Sequence, residues 1–171
     1  MRITVKKLTD EKLMQRACQF TINKETGISL EKIYRCEHSP MRTQMFWVEM
    51  FDIPTFVSVH LVRHKIGVEH FVKSNREDRI GYTGDGGRNH PVNHAMLINA
   101  EALITMARKR LCKKAHLKTV EVMEAIRQAV GYEDLELYKR MVKNCIYRGG
   151  CYELVSCGSP KHKEAKRNNC N

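Results

Sequence analysis

The first part of the chain has a pattern of apolar and polar positions that predicts a strand followed by two helices. Apolar residues recur at alternate positions over residues 1–7, which is typical of a short strand. A helix is predicted to begin at Thr9, because threonine is a favourable N-cap residue, and a second helix is predicted over residues 29–36. The first helix is expected to bury a stripe made of Leu13, Met14, Ala17 and Phe20.

The middle of the chain contains two apolar stretches that end in a polar run. Residues 43–51 mix aromatic and long apolar side chains, which indicates a buried strand. Pro54 suits the first turn of a helix, and the apolar residues over 54–63 predict a second buried segment. The polar run that follows is therefore expected to project from the core. Residues 81–91 are rich in glycine and predict a loop, but they match no phosphate-binding fingerprint and receive no chemical role.

The pattern over residues 95–130 favours helix, either as one long helix or as two in tandem. Lys113 and Lys114 mark the expected break, and a further short helix is predicted over residues 133–141. The apolar face of the first half consists of Leu97, Ala100, Leu103, Ile104, Ala107 and Leu111.

The densest chemistry lies in the charged run from Arg63 to Arg79, between the second apolar segment and the glycine-rich loop. Arginine offers a planar fork for phosphate or carboxylate, lysine a mobile point charge, and histidine a group that donates or accepts near neutral pH. These side chains predict a site for an anionic ligand.

Composition adds a strong positive charge to this picture. The 171 residues fit one domain, and the formal net charge of +11 favours anionic partners such as nucleic acid, nucleotides or phosphorylated cofactors. No apolar run reaches the length of a membrane helix, and the first residues lack the apolar core of a signal peptide, so we expect a cytoplasmic protein.

The seven cysteines, an odd number, indicate thiols or metal ligands rather than a disulfide framework. Cys145, Cys151 and Cys157 follow each other at equal spacing, and a metal site would need a fourth ligand such as Cys36, Cys112 or a histidine. The spacing is wider than in common zinc knuckles, so free thiols stay the alternative and no metal is assigned. We expect a catalytic domain over residues 1–157 and a basic, disordered tail over 158–171.

Three separated stretches resemble the flavin-dependent thymidylate synthases, the ThyX family, whose signature is Arg-His-Arg, seven residues, Ser, one residue, Arg. Arg63-His64-Lys65 resembles the signature, residues 38–44 resemble the turn before a buried strand, and the stretch from Asn99 to Arg110 resembles the family's Asn-Ala-Arg helix. The three matches occur in the family's order. The resemblance implies an α+β fold with a small central sheet, packed with helices that include a long C-terminal helical region.

Several positions depart from the family's pattern. Lys65 replaces an arginine and so loses the planar fork. Ser74 and Arg76 have the signature's residue types one place late, and in a strand this offset would turn them to the other face unless a bulge intervened. The remaining departures are Glu101 for arginine, Thr105 where an asparagine can contact flavin, and His60 for glutamine.

The resemblance implies methylation of dUMP to dTMP, with FAD as redox carrier, NADPH as electron source and methylenetetrahydrofolate as carbon donor. It implies that the flavin is bound by Arg63, His64, Lys65, Asn99 and Thr105. The catalytic residue it implies is Arg110, which would bind dUMP and polarise its ring. It also implies a homotetramer and the further substrate contacts His60, Arg63, Ser74 and Arg76.

Two alternatives stay open. The altered signature also fits a related flavin enzyme that modifies another pyrimidine nucleotide. Charge and the glycine-rich loop fit a small nucleic-acid-binding protein, although no recognition helix or base-stacking motif supports it.

Overall fold

The fold is built on a four-stranded antiparallel sheet. The computed structural model describes residues 1–22, 27–74, 78 and 86–158. Within these residues the strands follow the order β1-β2-β4-β3 across the sheet. They are β1 Arg2–Lys7, β2 Met45–Pro54, β3 Val68–Val72 and β4 Pro91–Asn99.

Seven α-helices and one 3-10 helix, Ser39–Thr43, accompany the sheet in the described part of the chain. The helices are α1 Glu11–Ile22, α2 Leu30–Cys36, α3 Thr55–Leu61, α4 Ala100–Arg110, α5 Leu117–Glu133, α6 Leu135–Arg140 and α7 Asn144–Tyr147. Among the described residues, no helix combines the length and the apolar character needed to cross a membrane. The expected mixed α+β fold with a C-terminal helical region is confirmed.

One face of the sheet packs against the hydrophobic core. Alternate residues of β2 and β4 are buried there, as the period of two in a strand requires. Asp52 has a positive φ of 56°, and the β2–β4 register shifts between Met50 and Ile53. This bulge changes the phase of the alternation, so Met50 and Ile53 both point into the core. The buried residues of β4 are Val92, His94, Met96 and Ile98, together with Asn99 at its end.

The prediction of helix from residue 95 onward is wrong at its start. Residues 95–99 belong to β4, and the helix begins at Ala100. The apolar residues of this stretch are also compatible with helical spacing. It forms a strand because its backbone hydrogen-bonds to β2 on one side and to β3 on the other. The expected break at Lys113 and Lys114 is confirmed, because α4 ends at Arg110 and α5 begins at Leu117.

The first helix also differs from its prediction. The Asp10 carboxylate, rather than Thr9, accepts from the backbone N–H of Leu13, while the Thr9 hydroxyl donates to the carbonyl of Thr43. Met14 of the predicted stripe is buried, but Leu13 is 46% exposed and Phe20 77% exposed, so the prediction is wrong at these two positions and the buried face is rotated. Met14 and Cys18 are the buried residues of α1.

The remaining predicted elements agree with the structure. The strand β1, the helix α2 capped by Ser29, the strand β2 and the short helix α6 all lie where the sequence places them. Pro54 is the N-cap of α3. The 3-10 helix occupies the stretch expected to be a polar turn, and its Pro40 and Met41 are buried. The predicted tail, apart from Gly158, lies outside the described residues.

Candidate functional site

A short loop between α3 and β3 carries the cationic residues singled out in the sequence. After α3 ends, the N–H of His64 donates to the carbonyl of Leu61 at 3.0 Å, and Arg63 and Lys65 are exposed on the loop. Gly67 closes the loop with a φ of +72°, which favours glycine. A Cβ atom on Gly67 would lie 2.5 Å from Nδ2 of Asn99. The loop is therefore held close against the start of α4.

This contact makes the loop one wall of an open cavity of about 440 Å³, and the first turns of α4 make another. Asn99 is the N-cap of α4, and its side-chain oxygen accepts from the N–H of Ala102 at 2.9 Å. Glu101 and Thr105 stand one turn apart on the helix and face the same space. The cavity is lined by Glu37, Arg63, His64, Lys65, Ile66, Glu101, Ala102 and Thr105.

The two carboxylates of the cavity are both neutralised by arginines. Arg42 binds Glu101 through two hydrogen bonds of 2.7 and 3.1 Å, and Arg108 makes a two-point ion pair with Glu37. Within the described residues, Arg63 and Lys65 form no salt bridge. Their positive charges are therefore exposed to solvent, and a phosphate group would match them in sign and hydrogen-bonding chemistry.

Arg110 lies behind the cavity wall and is fixed by two hydrogen bonds. Its Nε donates to Nε2 of His64 at 3.0 Å, and one Nη donates to the carbonyl of His60 at 2.6 Å. Burial, with Arg110 next in weight, lowers the pKa of His64 to about 4, so the ring is neutral at pH 7 and accepts this hydrogen bond. Burial, followed by the charge of Arg63, also lowers the pKa of Arg110 from its ordinary value.

Arg110 bonds the backbone carbonyl of His60, and the positive charges of Arg63 and Arg88 also act on the His60 ring. Burial is the main cause of the lowered pKa of His60, and the charges of Arg110, Arg63 and Arg88 follow in that order. The Nδ1 atom of His60 lies 2.8 Å from the hydroxyl of Thr119. We call Arg63, Arg88 and Arg110 the arginine cluster; it adds a second cationic feature beside the cavity.

The sequence did not identify Arg88 or Glu37 as site residues. Arg88 belongs to the glycine-rich stretch, where its carbonyl accepts from the N–H of Phe56 and its guanidinium lies 5.0 Å from the Phe56 ring centroid. Glu37 lies at the end of α2 with a left-handed φ of 53°. Both residues contact side chains that are far away in sequence, and no local sequence pattern predicts such contacts.

The structure brings together most, but not all, of the site residues expected from the sequence. Arg63, His64, Lys65 and Thr105 line the cavity, and Arg110 adjoins it through His64. Asn99 serves as a helix cap, and the cavity lining does not include it. The assignment of these side chains to particular ligands stays a prediction.

Ser74 lies at the opposite end of β3 from the cavity. The strand ends at Val72, and Lys73 hydrogen-bonds to the carbonyl of Asn93, whereas Gly67 at the other end bonds Asn99. Ser74 lies seven positions after Gly67, which in extended chain corresponds to roughly 20 Å. Because Ser74 lies beyond the strand, the alternation of strand faces does not decide its direction. Arg76 lies outside the described residues.

The three evenly spaced cysteines do meet in space. Cys145, Cys151 and Cys157 line a second cavity of about 240 Å³ together with Cys112, which follows α4. Burial is the main cause of the raised pKa of Cys145, and the neighbouring Cys112 adds to it. Within the described chain, no three His, Cys, Asp or Glu side chains are arranged to hold a metal ion.

The fold matches those of enzymes that act on pyrimidine nucleotides. Two structures of the flavin-dependent thymidylate synthase ThyX from Helicobacter pylori, both with FAD and dUMP, match with a TM-score of 0.68 and sequence identities of 16% and 15%. Each match covers 84% of this chain and 100% of the other. The UMP/dUMP methylase PolB from Streptomyces cacaoi, bound with 5-Br dUMP, matches with a TM-score of 0.61 and 13% identity over 83% of this chain and 97% of the other.

These likenesses establish a ThyX-like fold. No family model matches the sequence, and no curated protein matches it. The likeness to these neighbours is therefore one of fold, at 13–16% sequence identity.

Proposed function

We propose that this protein is a flavin-dependent enzyme that methylates dUMP to dTMP. FAD would act as redox carrier, NADPH as electron source and methylenetetrahydrofolate as carbon donor. The observation that carries the proposal is the cavity, in which Arg63, His64, Lys65 and Thr105 meet within a ThyX-like fold. Two of the stretches that resemble the family in sequence, residues 63–65 and the helix that follows Asn99, thus meet at this cavity.

The cavity has the volume of an ordinary ligand pocket and carries cationic and hydroxyl donors that suit a nucleotide. Its volume of about 440 Å³ falls within the range of about 300–1,000 Å³ that is usual for ligand pockets. Arg63 and Lys65 would bind the phosphates, and the Thr105 hydroxyl would hydrogen-bond the nucleotide. FAD would supply the redox chemistry. Asn99 would support the flavin indirectly by holding the first turn of α4.

Arg110 is the proposed catalytic residue. Its two hydrogen bonds fix the direction of the guanidinium before substrate binds, so little ordering is lost on binding. A preorganised cation in a partly buried site stabilises negative charge that develops on a pyrimidine ring. His60 and the other two members of the arginine cluster, Arg63 and Arg88, would bind the nucleotide phosphate beside it.

A second candidate is a related flavin enzyme that modifies another pyrimidine nucleotide. Glu101 stands in the cavity wall where the family has arginine, and it is tied to Arg42. This substitution changes the charge that a ligand meets on α4. It would alter the choice of nucleotide without changing the fold.

A transfer assay separates these functions. Purified protein is incubated with FAD, NADPH and labelled methylenetetrahydrofolate, together with dUMP, dCMP or no nucleotide. Label in dTMP is expected. Label in a methylated cytosine nucleotide would favour the second candidate. Protein that remains colourless after incubation with FAD, transfers no label and binds polynucleotide would contradict both functions. It would favour a nucleic-acid-binding protein, which only the net charge of +11 and the glycine-rich loop support.

A further inference from the structure

A chain of three hydrogen bonds runs from the core to the loop that carries His64. The hydroxyl of Ser58 in α3 lies 3.0 Å from Nδ1 of His94 in β4. The other nitrogen of His94, Nε2, lies 3.0 Å from Nδ1 of His70 in β3. Nε2 of His70 lies 2.7 Å from the backbone carbonyl of His64. Three elements of the fold are thus joined to the loop by a continuous polar path.

The last bond of this chain fixes the direction of the others. A carbonyl oxygen can only accept, so Nε2 of His70 carries a proton. In the neutral His70 ring, Nδ1 then accepts, and it accepts from Nε2–H of His94. The remaining nitrogen of His94 accepts from the hydroxyl of Ser58. Burial, with a smaller contribution from His70, lowers the pKa of His94 to about 4, so His94 is neutral at pH 7 as this order requires.

The burial of His94 is costly without these partners. Its side chain is 1% exposed and occupies an inward-facing position of β4 between Val92 and Met96. The transfer of a polar group from water to an apolar interior without a compensating hydrogen bond costs roughly 2–7 kcal/mol, depending on the reference state. An apolar residue would fill this position without that requirement. We therefore expect a role for His94 at the far end of this hydrogen-bond chain, at His64.

The hydrogen-bond chain ends at His64, whose ring also binds Arg110. The His64 carbonyl anchors the loop from one side, and the neutral His64 ring accepts from Nε of Arg110 on the other. We propose that His70 and His94 are positioning residues, which fix the backbone of His64 and thereby hold Arg110 and the loop wall of the cavity. The proposal rests on the proposed function for its catalytic consequence, but its structural part stands on the hydrogen bonds alone.

Nitrogen-15 NMR of the histidine rings in the unmodified protein tests directly which ring nitrogen carries the proton in each hydrogen bond. At about two pH units above the ordinary imidazole pKa, His70 and His94 are expected to carry their proton on Nε2. His64 is expected to carry its proton on Nδ1, since its Nε2 accepts from Arg110. A His94 ring protonated on Nδ1, or a His70 ring protonated on Nδ1, would overturn the proposal.

Two substitutions at His70 separate anchoring from packing. In His70→Gln the side-chain amide nitrogen reaches the place of Nε2 and can keep the bond to the His64 carbonyl. In His70→Asn the side-chain oxygen reaches the place of Nδ1, keeps the partner of His94 and leaves the carbonyl without a donor. Both variants remove the ring, so a role in packing alone would affect them equally. Glu69→Gln is the control, because Glu69 is an exposed neighbour on the same strand.

We expect His70→Asn to lower kcat/KM for the nucleotide by about 10- to 100-fold, as misplacement of a catalytic group does, and to perturb the His64 ring signals. His70→Gln is expected to stay within about threefold of the unmodified protein and to keep those signals. Equal losses in the two variants, or equal retention, would overturn the proposal. If the unmodified protein proves inactive, the proposed function fails, and the His64 signals in the two variants still decide the positioning role.

Discussion

At the scale of single residues, Arg110, the proposed catalytic residue, also makes structural hydrogen bonds. An arginine exposed on a helix surface would contribute little to stability. In the structure Arg110 is half-buried and donates to His64 and to the His60 carbonyl. We therefore expect Arg110→Ala to lower the free energy of unfolding by about 1–2 kcal/mol, in addition to its effect on catalysis.

The catalytic effect of Arg110→Ala is expected to be a loss of turnover of about 100-fold or more, since one preorganised donor is worth that much in a polar transition state. Lys109→Ala is the matched control, because Lys109 is the adjacent exposed cation on α4. Turnover and urea unfolding of both variants check the prediction. Turnover in Arg110→Ala at the level of Lys109→Ala would remove Arg110 from the catalytic site.

The buried histidines make stability depend on pH. The pKa values of His64 and His94 are lowered from 6.5 to about 4 in the folded protein, mainly by burial. Between these values the unfolded chain binds more protons than the folded one, so stability falls as the pH falls. The contribution that the two neutral histidines make to stability is fully present above about pH 6.5 and is lost as the pH falls to about 4.

We expect a total loss of about 1–3 kcal/mol across this range, since both rings retain some contact with water or polar groups. Urea unfolding at a series of pH values measures it. The variant His64→Gln, which removes one of the two titrating rings, is expected to show a shallower dependence. A flat profile from pH 7 to pH 4.5 would contradict the assignment of His64 and His94 as neutral groups.

At the scale of elements, the site depends on how closely β3 approaches the start of α4. Gly67 has a φ of +72° and leaves no space for a Cβ atom beside the Asn99 side chain. We expect Gly67→Ala to destabilise the protein by about 1–3 kcal/mol, through both backbone strain and displacement of the α4 cap. Because the loop moves with Gly67, ligand binding in the cavity should weaken as well.

Gly27→Ala is the control for this substitution. Gly27 has no atoms within 4 Å of the Cβ position, and its φ lies outside the strained range. Urea denaturation of the two variants compares them directly. Equal stability of Gly67→Ala and Gly27→Ala would show that the contact between β3 and α4 is not needed.

The elements also show what the sequence can and cannot predict. The helix break after Arg110 was predictable, because local composition marks it. The strand β4 was not, since its last apolar residues also match helical spacing, and the neighbouring strands that decide its structure are distant in sequence. The rotation of α1, with Phe20 exposed, likewise depends on which elements pack against it.

The candidate site divides in the same way. The run Arg63-His64-Lys65 was predictable because its charges are adjacent in sequence and follow a buried segment. The pairs Arg42–Glu101 and Arg108–Glu37, which set the charge of the cavity, join residues 59 and 71 positions apart. Single-sequence patterns contain no signal for such contacts.

At the scale of the whole molecule, the distance between Ser74 and the cavity bears on assembly. Within one chain, these two features lie at opposite ends of β3. If Ser74 contacts the nucleotide as the resemblance implies, it must do so in the site of another copy. We therefore predict a homo-oligomer, a tetramer by that resemblance, in which copies share residues between sites.

Light scattering of the purified protein, combined with turnover, tests this prediction. A particle of several chains is expected, and mixtures of inactive Arg110→Ala and Ser74→Ala chains should regain activity if the two residues serve a site from different copies. A fully active monomer would contradict the shared site. It would also require Ser74 to act outside the nucleotide site.

The central claim is that Arg63 and its neighbours form a flavin-nucleotide site, and titration with FAD tests it most directly. We expect saturable binding with a change in the flavin absorption spectrum, and tighter dUMP binding when FAD is present. Arg63→Ala is expected to weaken FAD binding by about 10-fold or more, because a charge-assisted hydrogen bond to phosphate contributes about 1.5–3 kcal/mol. An unmodified protein that does not bind FAD, or equal FAD affinity in Arg63→Ala, would contradict the claim.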